Sequence, residues 1–216
     1  FSILEVAGKF AVPIPLGETL LAGWLLSQGE INSPAGMMTI APVRPRDKIE
    51  LTAENTLTGS VFGIPFASSV ANIAVIANKD DRLYIALVSS KDCTITSKAG
   101  LSGDSRDTIT FLNTQPIQVS PAPKNMSTQD LHLMGATVRS MQISGALQSI
   151  LKLATDYAQE RVAFEKQISK FQAVQHNLAK LANETAVAIA AAGSAMDTIN
   201  DLDTFIKKNE SHFKAL

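Results

Sequence analysis

Apolar positions recur at helical spacing at both ends of the chain and in short, dense runs between them. Ile3, Leu4, Ala7 and Phe10 lie on one helical face. Pro13 and Pro15 end that helix, because proline lacks the N–H and clashes with the preceding turn. A second short apolar helix is predicted over Gly17–Ser27, with Glu18 and Thr19 early, where a carboxylate suits the helix dipole. Ser33-Pro34-Ala35-Gly36 reads as a loop.

From residue 39 to residue 120 the helical period is lost. Strands are predicted at Lys48–Leu51, Ala71–Ala77, Leu83–Ser89, Thr108–Phe111 and Ile117–Val119. Turn signals separate several of them, at Asn78–Asp81, Ser102–Asp104 and Asn113–Pro116. Strands at roughly ten-residue spacing with such turns imply an antiparallel sheet or small barrel. Ala71–Ala77 is nearly all apolar and belongs at its centre.

Ser120–Pro123 is a linker, and helix returns beyond it. Ser127 or Thr128 caps a long helix with Asp130 in its first turn. Leu131, Met134, Val138, Met141, Leu147, Leu151, Ala154 and Tyr157 mark its buried stripe. Ser169-Lys170-Phe171-Gln172 is a capping-box pattern opening a second helix, with a stripe through Phe171, Val174, Leu178 and Leu181. Two long antiparallel helices are therefore expected, over 128–163 and 169–198. Asn200 or Asp201 caps a third, whose apolar stripe at Phe205, Ile206 and Phe213 calls for a partner surface. The fold class is α+β: a central antiparallel β module, a small barrel or sandwich, followed by a long-helix antiparallel bundle. The expected limits are 1–38, 39–124 and 125–216.

Composition narrows the function. Of 216 residues 45% are hydrophobic and 18% charged, which excludes a disordered chain. The net charge of −1 supplies no basic field for nucleic acid. A single cysteine, Cys93, excludes a disulfide framework and fits a reducing, cytoplasmic location. His132, His176 and His212 form no ligand motif, and no metal is expected. No apolar run approaches the ~20 residues a membrane helix needs. The first residue is Phe1, so the chain is expected to begin inside a longer protein.

The segment with chemical content is Asp156–Ala182, DYAQERVAFEKQISKFQAVQHNLAKLA. It resembles the Y-x-x-x-R-x-Q-F-G-x-x-I-x-x-F-Q-x-x-Q-x-x-L-A segment of the acyl-CoA dehydrogenase family. The matches are Tyr157, Arg161, Phe164, Ile168, Phe171, Gln172, Gln175, Leu178 and Ala179; the departures are Ala163 for glutamine and Glu165 for glycine. Glu5–Thr19 looks like the end of the family's N-terminal helical domain. Gly103–Phe111 looks like the strand entry near the end of its β module.

The resemblance implies an FAD-dependent acyl-CoA dehydrogenase that removes an α-proton with a carboxylate base while hydride leaves the β-carbon for the flavin. It implies acyl-CoA as substrate, electron-transfer flavoprotein as electron acceptor, and a homo- or hetero-oligomer, a dimer or tetramer. Arg161 would take the pyrophosphate of a flavin bound mainly by a neighbouring subunit, Phe164 would pack on the dinucleotide, and Gln172 would approach it from the next helix. Ile168 and Phe171 complete the cofactor set. Read without the family, Arg161 is a solvated cation at a helix C-terminus, Phe164 and Phe171 are core anchors, and Gln172 is the capping partner of Ser169.

The β module departs further. Thr39–Pro45 stands where the family has T-E-P-x-A-G-S-D and holds neither acid nor glycine, and Gly59–Ala77 has no tryptophan. A minority of the family carries its base about seven turns before the motif arginine, and Leu133–Ala136 offers no acid there. The base is therefore unidentified. Two alternatives stand beside the enzyme: a non-catalytic or half-site subunit of a heteromeric dehydrogenase, and a flavin monooxygenase of the same fold.

Overall fold

The computed structural model describes residues 2–213, and the side chains of residues 3–199. Two helices, α1 (Ser2–Lys9) and α2 (Leu16–Gln28), come first. Eight strands follow: β1 (Met38–Ala41), β2 (Glu50–Leu51), β3 (Leu57–Ile64), β4 (Asn72–Lys79), β5 (Arg82–Ser89), β6 (Thr94–Thr96), β7 (Asp107–Thr114) and β8 (Gln118–Pro121). Helix α3 (Thr128–Glu160), a small hairpin of β9 (Val162–Ala163) and β10 (Lys166–Gln167), and helix α4 (Gln172–Phe213) end the chain. The chain forms two compact units, one of Ile14–Gly135 and one joining Phe1–Pro13 to Ala136–Leu216.

In the first unit the strand order is β6-β7-β3-β2-β4-β5-β8, with β1 beside β4. Pairing is antiparallel except that β1 and β2 run parallel to β4. Strand β4 is the centre expected of it: Ile73 to Ala77 are all buried, because an apolar run with no polar alternation needs cover on both faces. Leu57, Val61, Ile64, Val75, Val88, Ile109 and Phe111 fill the core around it. Strands β1, β3 and β6 add to those expected from the sequence. Strand β3 contains Gly59, which has φ +132°, and a Cβ there would sit 2.8 Å from the Lys48 carbonyl oxygen. The glycine marks a close backbone approach, and its lack of a side chain is what hid the strand.

Asp107 ties this sheet together from inside. It is 1% exposed. One carboxylate oxygen accepts the Ser68 N–H at 2.8 Å, and the other accepts the Lys98 N–H at 3.2 Å. Burial alone would raise its pKa, but the hydrogen bonds from Ser68, Lys98 and Ser105 outweigh it and hold the group below 3.8. A folded-state value below the unfolded one stabilises above the unfolded pKa, and that contribution fades as pH falls through the folded value. Asp107→Ala is expected to cost about 2–3 kcal/mol, since it strands buried donors of a charge-assisted pair. Its urea midpoint at pH 7 should fall, and the gap to wild type should shrink towards pH 2; an unshifted midpoint would contradict the role.

In the second unit α1 meets α3 through glycine on both sides. A Cβ on Gly8 would overlap the Gln142 carbonyl oxygen, with the carbonyl carbon at 2.6 Å; one on Gly145 would overlap the Glu5 carbonyl oxygen, with Lys9 N at 2.9 Å. The Gln148 side-chain amide donates to the Glu5 carboxylate across the same contact.

Along α3 the stripe holds at Leu131, Val138 and Met141 but not at Tyr157, which is exposed. Ala158 is buried in its place, one position on. A 3.6-residue turn drifts against an evenly drawn stripe over so many turns.

Helix α4 is one helix from Gln172 to Phe213, so no third helix begins at Asn200 or Asp201. No proline or glycine follows Gly193 to break it, and Asn or Asp inside a helix costs less than about 0.7 kcal/mol. The stripe expected at Phe205, Ile206 and Phe213 lies outside the described side chains.

Candidate functional site

Helix α3 ends at Glu160, and the Arg161 N–H still bonds back to the Tyr157 carbonyl at 2.9 Å. The chain then turns over on itself. Ala163 pairs with Lys166 and Val162 with Gln167, and the Ile168 N–H reaches the Arg161 carbonyl at 2.9 Å. Only Phe164 and Glu165 form the loop, with φ +53° and +64°. Two successive left-handed residues make the turn whose twist suits a two-residue hairpin, and Asn-Gly is its favoured sequence. Phe-Glu carries Cβ atoms into a region that disfavours them by roughly 1–2 kcal/mol per residue. Glu165→Gly is accordingly expected to stabilise the chain by about 0.5–1 kcal/mol after the added flexibility of glycine is counted. A thermal midpoint unchanged or lowered by this substitution would contradict the assigned turn.

Residues opposite one another in an antiparallel pair share a face. One face of the hairpin thus carries Arg161, Ala163, Lys166 and Ile168, and the other carries Val162 and Gln167. Phe164 projects from the tip and is 90% exposed. Its ring stands edge-on to Phe171, with centroids 6.3 Å apart and an interplanar angle of 84°. The Lys166 ammonium lies 4.5 Å from the Phe171 ring centroid, a cation–π contact. Arg161 is exposed, and among the described residues its guanidinium meets no carboxylate.

A 3-10 turn, Ile168–Lys170, leads into α4. It places Ser169 too early to cap the helix, so the expected capping box with Gln172 does not form. The Gln175 side chain instead donates to the Ser169 carbonyl at 3.0 Å. Gln172 is left exposed as the first residue of α4. All five residues singled out from the sequence, Arg161, Phe164, Ile168, Phe171 and Gln172, therefore fall in one connection between two long helices.

The sheet unit has a cleft of about 430 Å³ that sequence reasoning did not find. Pro42, Arg44, Asp47, Asn78, Asp80 and His132 help to line it. Asp47 is committed locally: it accepts the Phe62 N–H at 2.8 Å and pairs with Arg44 at 3.4 Å, while Arg44 lies over the Phe62 ring. The His132 Nε2 is buried, with no hydrogen-bond partner among the described residues. Burial, and then the neighbouring Asp92 charge, push the Cys93 thiol up to about 11. Among the described residues no group of three His, Cys, Asp or Glu could hold a metal ion. None of the described helices is long and apolar enough to cross a membrane.

Residues 128–215, which include the whole hairpin, match the family model described as the acyl-CoA dehydrogenase C-terminal domain. Over this segment, less than half of the chain, the sequence is similar to that family's C-terminal domain. No curated protein sequence matches it. Solved structures of the family share its fold. A steroid ACAD, Tcur3481-Tcur3483, is 20% identical with a TM-score of 0.80, over 92% of this chain and 60% of that one. The ChsE4-ChsE5 complex from Mycobacterium tuberculosis is 19% identical with a TM-score of 0.78, over 92% and 60%. Butyryl-CoA dehydrogenase from Megasphaera elsdenii is 16% identical with a TM-score of 0.73, over 88% and 60%. The chain thus spans about 60% of the length of each of these three chains.

The family binds FAD, and the hairpin's chemistry suits that group. Arg161 and Lys166 offer charge to phosphate oxygens, and Phe164 offers an exposed aromatic face to a planar ring.

Proposed function

We propose that this chain is the larger part of an FAD-dependent acyl-CoA dehydrogenase, and that the hairpin after α3 holds the flavin's pyrophosphate. In this reading 1–38 ends an N-terminal helical domain, 39–124 is the middle β domain and 125–216 begins the C-terminal bundle. The observation that carries it is an exposed arginine and an exposed Phe164, edge-on to a half-buried Phe171, on one strained hairpin inside the segment that matches the family model. Strained backbone persists where the surroundings over-determine it, and it collects at ligand clamps.

Arg161 presents a fork of donors to a phosphate and stands just past the end of α3. Phe164 covers the dinucleotide against water, Phe171 supports it from the side, and Ile168 backs the arginine on the shared face. Gln172, at the first turn of α4, adds a neutral donor. Bound FAD supplies the acceptor for the hydride that leaves the acyl β-carbon. The substrate is an acyl-CoA, electrons pass to an electron-transfer flavoprotein, and the protein is a cytoplasmic oligomer.

A half-site role in a heteromer is a second reading, favoured by Thr39–Pro45 and by the heteromeric ChsE4-ChsE5 among its fold relatives. One experiment tests both. The intact protein is purified alone, and also with a co-expressed sister chain, and acyl-CoA is added without oxygen. Flavin absorbance that bleaches in the protein alone supports the enzyme. Flavin and bleaching only with the sister chain support the half-site subunit. No flavin in either preparation overturns both.

A further inference from the structure

We infer that Lys166 is a second phosphate-binding residue of this hairpin, taking the place of the polar side chain lost at Ala163. The inference rests on the flavin reading of the hairpin. It comes from register rather than from the motif. Ala163 and Lys166 are directly opposed across the hairpin, and Arg161 and Ile168 continue the same face. Whatever anion Arg161 meets therefore lies over the face that Lys166 also occupies. Ala163 contributes only a methyl group there, which leaves the space beside Arg161 to the longer side chain across from it.

Lys166 is also held in place. Its ammonium is 4.5 Å from the Phe171 ring centroid, and Phe171 is fixed edge-on against Phe164. The contact restrains a side chain that otherwise loses on the order of 2 kcal/mol of rotamer entropy when it binds. No carboxylate is paired with it among the described residues. An ammonium on a face shared with a guanidinium suits a group with two adjacent negative charges, a pyrophosphate, better than it suits a single carboxylate.

The test is FAD affinity of the intact protein after its flavin is stripped, with riboflavin, which has no phosphate, as the second probe. Lys166→Met keeps the stem and removes the charge, and it should weaken FAD roughly five- to ten-fold. It should also flatten the salt dependence and leave riboflavin unchanged. Lys166→Arg should stay within about two-fold of wild type. Ala163→Gln added to Lys166→Met should recover part of the loss, because it restores a polar group on the same face; a merely structural lysine would show no such rescue. Wild-type FAD affinity in Lys166→Met, with Arg161→Ala weakened, overturns the lysine assignment alone. Wild-type affinity in both variants overturns the flavin reading and the lysine with it.

Discussion

Replacing Arg161 with alanine is expected to weaken FAD binding roughly ten- to a hundred-fold while leaving the fold nearly as stable as before. The loss corresponds to one charge-assisted, bidentate contact, about 1.5–3 kcal/mol. Stability should move by no more than about 0.5 kcal/mol, because the side chain is exposed and supports no partner among the described residues. Arg161→Lys should recover little, since a point charge does not reproduce a planar fork. If Arg161 is instead a solvated cation near the end of α3, flavin retention will be the same in all three proteins, and only a few tenths of a kcal/mol of stability will be lost. The flavin-to-protein ratio after gel filtration separates the two accounts.

Gly145→Ala is expected to destabilise the helical unit by about 2 kcal/mol, against the usual gain from alanine in a helix. On an open helix face the exchange stabilises by up to about 1 kcal/mol. Here the new methyl group would run into the Glu5 carbonyl, and the Glu5 carbonyl carbon lies 2.8 Å from where it would stand. Backbone cannot rotate out of the way as a side chain can, so α1 and α3 must separate, and overpacking of this kind costs about 1–3 kcal/mol or more. Gly193→Ala on α4 is the control, because nothing lies within 4 Å of its Cβ position. The first should lower the thermal midpoint by about 4–8 °C, and the second should raise it slightly. Two shifts of the same sign would contradict the close crossing.

Much of the fold was legible because its signals are local. Pro13 and Pro15 close α1, and two long helices stand where the 3.6-residue period predicts them. Strands β4 and β5 announce themselves as apolar runs separated by Asn78–Asp81. The strands that sequence reading missed lack such signals. Strand β1 is only four residues long, β3 contains Gly59 and Gly63, and β6 is Thr94-Ile95-Thr96. Their pairing partners are far away in sequence, and pairing is what makes them strands.

The candidate site was legible for a related reason. Its residues sit within twelve positions of one another, so a linear motif could hold them. What the motif does not contain is geometry. Phe164-Glu165 is poor turn chemistry, and nothing in those two letters announces a left-handed pair. The capping box at Ser169 is good chemistry that the interposed 3-10 turn leaves unused. Lys166 has no place in the motif, and only the pairing of Ala163 with Lys166 brings it to the arginine's face. Asp47 and His132, on the wall of the cleft, were likewise invisible, because the strands between them bring them together.

The central claim is that the hairpin after α3 grips the phosphates of FAD, and an experimental structure of the intact protein with FAD tests it most directly. The account predicts the Arg161 guanidinium within about 2.7–2.9 Å of a pyrophosphate oxygen, with Phe164 against the dinucleotide. A bound FAD whose phosphates are held elsewhere, with Arg161 left in water, would contradict it.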